Sequence, residues 1–217
     1  MRRNIFSVTL LLMVGVFIFW LWSPSEKFAA HHPQDHARVE PTPVSPWRNS
    51  AADLSVLFPN ATNHVIDSRI ITGVMVQAQK QLGRPLNPDE NPLRIFRALG
   101  PGGRVGSVLV TRVKAEYGGM EIVTGVDTNG AVRGVRIQSQ RERPEVADAI
   151  VKASWLDGFV GKTATSELRL GADLAEVPAA ARVSAQAVAD GVRDQLIVLT
   201  LAELPLEVRE SGRYIAP

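Results

Sequence analysis

The first stretch of the chain is apolar without interruption, and the patterned stretches come after it. An uncharged run from Asn4 to Pro24 follows Met1-Arg2-Arg3, with Ile5, Phe6, Leu10 to Val14 and Val16 to Trp22 supplying its apolar residues. Its length suits a helix crossing a hydrocarbon core. Trp20 and Trp22 close its far end, as interfacial side chains do, and Arg2 and Arg3 place the amino terminus in the cytoplasm. A cleaved signal peptide would have a shorter apolar region and a small-x-small site, which Phe28-Ala29-Ala30 matches poorly. The expectation is an uncleaved transmembrane anchor over 1–24, with everything after it outside the inner (cytoplasmic) membrane, in the periplasm or outside the cell. Residues 25–49 are rich in proline and polar residues and read as a flexible linker. Its His31, His32 and His36 have no carboxylate-rich scaffold around them, so no metal site is expected.

Periodicity becomes legible from Ser50. "SAADLSVLFP" reads as a short helix capped by Ser50 and stopped before Pro59. Between Asp67 and Leu82, residues Ile70, Ile71, Val74, Ala78 and Leu82 share one helical face, and Gly83 stops the run. Alternation then takes over in "LRIFRAL", "RVGSVLVTRVKAEY", "GGMEIVTGVD" and "AVRGVRIQSQ". Turns at Gly100–Gly103 and Thr128-Asn129-Gly130 join them, and Asn-Gly between alternating runs is a strong hairpin signal. Those glycines join strands and open no helix, so they are not a dinucleotide fingerprint. "RPEVADAIVKASWLDGFVG" predicts a helix entered at Pro144, "TSELRL" a short strand, and Ser184 to about Leu199 the last helix. The fold class is therefore α+β, a mainly antiparallel sheet flanked by helices and preceded by one transmembrane helix. The folded domain spans 50–200, with a carboxy-terminal tail over 201–217.

Composition narrows the function. With 45% hydrophobic and 21% charged residues, the 217-residue chain suits one domain plus an appendage. A net charge of +2, with arginines interleaved among acids, gives no basic stripe, so nucleic acid is not an expected partner. The absence of cysteine excludes thiol, disulfide, iron–sulfur and thiolate-zinc chemistry. No paired carboxylates, ligand cluster or nucleophile motif points to an enzyme with its own substrate, and His64 has nothing to make it part of a triad. Asp127 reads as a turn-stabilising side chain and Trp155 as core.

The stretch "PAAARVSAQAV", Pro178 to Val188, marks a helix start, where outward N–H groups and the dipole favour an anion. Ser184 reads as its cap.

Several separated pieces resemble the FMN-binding domain family: "LFPNAT" (Leu57–Thr62), "EYGGMEIVTGVDTNGAVRGVRI" (Glu116–Ile137), a glutamate–x–proline unit, "FVGK" and a capped alanine-rich helix. This is the domain of the membrane-anchored flavin subunits of Rnf and sodium-translocating quinone reductase complexes. The resemblance covers roughly 50–200 and implies an electron-transport subunit with partner subunits in the membrane. In that family a Glu-Thr-Pro-Gly motif follows the hairpin, and a Ser-Gly-Ala-Thr motif opens the last helix. The threonine of the second motif carries FMN as a phosphoester. The first motif falls on Glu142-Arg143-Pro144-Glu145 and the second on Ala179-Ala180-Ala181-Arg182. Arg182 has no hydroxyl, so covalent flavin at that position is excluded. The resemblance implies a cofactor site formed by Arg182, Val183, Ser184, Glu142, Pro144, Tyr117 and Gly118, with any FMN held non-covalently. The alternative is a flavin-free structural or interaction subunit that retains the fold.

Overall fold

The computed structural model describes residues 45–205. The expected anchor, most of the linker and the tail beyond residue 205 lie outside that range. Among the described residues no helix is long and apolar enough to cross a membrane.

A five-stranded antiparallel meander forms the centre, in the order β1 (Asn63–Ile70), β2 (Pro92–Gly100), β3 (Gly103–Lys114), β4 (Gly119–Asp127) and β5 (Val132–Ser139). Helix α1 (Ser50–Leu57) covers one face. The other face carries α2 (Met75–Leu82), α3 (Pro144–Ile150), α4 (Ala153–Leu156) and the long α5 (Arg182–Ala202). Period-two alternation divides the strand residues between two cores. Ile95, Leu109, Met120, Ile122 and Val126 pack with Val188, Val192 and Leu196 of α5. Phe96, Ala98, Val108 and Val123 pack with Leu54, Leu57 and Phe58 on the opposite face. Trp47 belongs to this second cluster and donates from Nε1 to Asp53 at 2.8 Å, so the chain is already packed before α1 begins.

The hairpins hold as the sequence predicts. Asp127 accepts from the Asn129 and Ala131 amides at 2.8 and 3.0 Å, closing the β4–β5 turn. Trp155 is core, bonded through Nε1 to the Ala175 carbonyl and edge-on to Phe159. His64 packs against Trp47 and Phe96.

Several local expectations are corrected. The helix expected over Asp67–Leu82 is β1, a 3-10 turn at Thr72–Val74 and α2. Eight consecutive positions of β1 pair with β2, so ladder formation overrides a helical spacing that only Ile71, Val74, Ala78 and Leu82 satisfy. Ile70 is 61% exposed. The cap of α1 is Asn49, not Ser50, and makes no side-chain bond. "TSELRL" forms no strand, only one isolated bridge between Leu170 and Leu174. The helix entered at Pro144 breaks after Ile150, and the last helix begins at Arg182, before Ser184.

One irregularity shapes the surface. The β2–β3 ladder runs only from Phe96–Val108 to Gly100–Gly103. Beyond it, Pro92–Ile95 stays with β1 and Leu109–Lys114 stays with β4, so the sheet splits.

Candidate functional site

The residues expected to form the site gather where the β3–β4 turn and the loop after β5 meet the start of α5. Arg143 precedes Pro144 and is extended, as a residue before proline prefers, and this turns Glu142 inward. Glu142 is only 8% exposed. Its Oε2 accepts from the Ser184 hydroxyl at 2.5 Å and its Oε1 from the Tyr117 amide at 3.1 Å. Ser184 Oγ in turn accepts the Glu116 amide at 3.2 Å.

Ser184 is therefore not the helix cap. It lies inside the first turn of α5, fully buried, and both hydrogen-bonding roles of its hydroxyl are filled. The knot ties three segments together and leaves no hydroxyl for a phosphate. Gly118 closes the adjoining turn by accepting the Ala115 amide at 2.8 Å. Tyr117 is 40% exposed, and the Arg143 guanidinium carbon sits 4.5 Å from its ring centroid, a cation–π contact. Pro144 occupies the first turn of α3, its missing N–H costing nothing there. Glu142, Ser184, Tyr117, Gly118 and Pro144 thus come together as a structural cluster.

Arg182 and Val183 lie elsewhere, on a groove of about 780 Å³ along the outer face of α5. Ala179, Gln186 and Ala187 share its floor, and Arg112 and Lys114 at the end of β3 face it. Arg182 pairs with Glu176 at 2.8 Å, its side chain 61% exposed. A pair that exposed holds an arginine by ~1 kcal/mol or less, so an anion can recruit it. The helix start itself offers less than expected. A 3-10 turn at Ala179–Ala181 leads into α5, and the Ala179 carbonyl takes the Arg182 amide.

At the far end Arg84 bridges Glu90 at 2.8 Å and Asp194 at 2.7 Å. Burial works to raise the Glu90 carboxyl, but hydrogen bonds from Arg84 and Asn87 outweigh it and hold it below the ordinary range.

No hydroxyl stands at the attachment position, so the arrangement does not fit an FMN ester. The cationic, partly apolar groove fits a phosphate-bearing molecule held without a covalent bond. Sequence reasoning missed Glu176, Arg112, Lys114 and Arg84. Only Arg112 and Lys114 carried a signal, lying two apart on one face of a strand.

No family model matches the chain. Two curated proteins, each named as a subunit of an ion-translocating oxidoreductase complex, are similar to parts of it. The one from Aliivibrio fischeri is 44% identical over 48 residues, 21% of this chain, and the one from Photorhabdus laumondii is 33% identical over 78 residues, 35% of this chain. The chain spans 23% and 37% of the length of these curated relatives. The solved structure of NqrC from Shewanella oneidensis aligns with a TM-score of 0.49 at 15% identity, covering 72% of this chain and 89% of that one. The resemblance to flavin subunits of Rnf and Nqr complexes drawn from the sequence is borne out by the curated relatives over these partial stretches.

Proposed function

We propose that the chain is an electron-transfer subunit of an ion-translocating oxidoreductase complex, anchored by residues 1–24 and holding FMN non-covalently in the groove beside α5. The observation that carries this reading is the groove itself. Where the family's motif has its hydroxyl, this chain offers Arg182, with Lys114 and Arg112 across from it. Their cations suit a phosphate, and Val183 and Ala187 offer apolar contact for a ring. FMN, when bound, supplies one- and two-electron redox chemistry, while the protein's part is to hold it and tune it. The curated relatives named as complex subunits support the assignment to a membrane assembly.

A second reading, a flavin-free structural or interaction subunit, is favoured by one observation. The Ser184 hydroxyl, the Arg182 guanidinium and the Arg182 amide all have internal partners. Titrating FMN into the full chain in an uncharged detergent separates the two. Non-covalent binding gives saturable quenching of flavin fluorescence. Arg182→Ala should weaken it roughly tenfold, as loss of one charge-assisted contact does. Fluorescence that stays unchanged throughout the titration would establish the flavin-free subunit instead.

A further inference from the structure

The split between β2 and β3 opens a second recess, distinct in its floor from the groove at the start of α5. Its volume is about 570 Å³, within the range of small-molecule sites. Leu93, Leu109, Val113 and Val198 give it aliphatic walls. Arg94, Arg112 and Lys114 line it from the strands, and none makes an ion pair among the described residues. The carboxylates that line it, Glu90 and Asp194, are both engaged by Arg84. The recess is therefore electropositive.

Gln195 of α5 also lines it, and Gln195 is 7% exposed. Its Oε1 accepts from the buried Thr124 hydroxyl at 2.5 Å, while its Nε2 has no partner. Exchanging the two amide atoms would leave the Thr124 proton without its acceptor, so Nε2 is the orphan. A buried, unpaired amide donor is an unmet demand for an acceptor, which a ligand would supply. The split adds to this, because the facing edges of Pro92–Ile95 and Leu109–Lys114 have no ladder partners in each other.

We infer that the β2–β3 split binds a small organic anion with an apolar body, its acceptor on Gln195 Nε2 and its charge on Arg94, Arg112 and Lys114. Nε2 is shielded from solvent in the empty recess. Binding therefore requires the glutamine to rotate towards the ligand. The site makes no use of the residues at the start of α5 and stands whether or not FMN binds there.

Benzoate is a suitable probe, read by amide NMR on the isotope-labelled full chain in an uncharged detergent. Saturable shifts of the Gln195 side-chain amide and of the Thr111 and Gly191 N–H signals are expected. Replacing Arg94 and Arg112 together by alanine should weaken the response about tenfold or more, with the spectrum otherwise preserved. Gln195→Met should remove the side-chain signal and weaken the remaining shifts. The inference is overturned by shifts that never saturate and scatter over basic residues, by responses untouched in the Arg94/Arg112 variant, or by shifts that FMN abolishes. A Gln195 amide that stays silent throughout the titration overturns it too.

Discussion

At the scale of single residues, the chemistry of this chain turns on how two hydroxyl positions were spent. The attachment position holds an arginine, and the nearest serine is consumed by a buried carboxylate. Ser184→Ala would strip Glu142 of one donor and leave the Glu116 amide without its acceptor. Unfolding free energy should fall by about 1–3 kcal/mol, read as a lowered denaturant midpoint with unchanged slope. An unchanged midpoint would mean the knot contributes nothing. Flavin binding is expected to survive the substitution if the protein stays folded, since Ser184 does not line the groove. Residue-level function was only half legible beforehand. Arg182 and Glu142 stood out by position in the motifs, but Glu176 and Gln195 come from other points in the chain and meet their partners only through folding.

Among the elements, α5 and β3 decide the architecture, and Gly191 sets how closely they pack. A Cβ there would lie 2.5 Å from Val113 Cγ1 and 3.2 Å from Ile122 Cδ1. Two effects oppose each other in Gly191→Ala. Helix propensity favours alanine by about 1 kcal/mol, while overpacking costs about 1–3 kcal/mol. The variant should therefore be destabilised in the wild-type background. Combined with Val113→Ala, which opens the space, it should be stabilising relative to Val113→Ala alone. A thermal-melt comparison that shows the same sign in both backgrounds would refute this contact. The four later strands and their turns were legible because alternation and Asn-Gly act locally. The first strand was not, because Ile70, Ile71, Val74 and Ala78 satisfy a helical spacing until an antiparallel partner in β2 is available. "TSELRL" failed for the converse reason: its alternation met no neighbouring strand.

On the scale of the whole molecule, arginine–carboxylate contacts tie the layers and set a pH dependence. Hydrogen bonding from Arg48 holds the Glu121 carboxyl below its ordinary range. For Asp67 and Glu203, burial pushes upward, but Arg97 with Arg69 or Arg104 outweighs it and the net direction is down. A carboxyl lowered in the folded state adds stability above its unfolded value, about 4, and that stability is lost as pH falls through the folded value. Denaturant midpoints should hold between pH 7 and about 5 and drop below about 4. A midpoint independent of pH down to 3 would contradict the contribution of these pairs. Whether the molecule carries a flavin, and how it is held, is read from the visible spectrum of the purified full chain, with and without added FMN, followed by acid precipitation. Yellow colour should stay with the native protein and pass into the supernatant on acid treatment. Colour that remains in the acid pellet would contradict the non-covalent assignment, and a colourless protein indifferent to FMN would contradict flavin binding altogether.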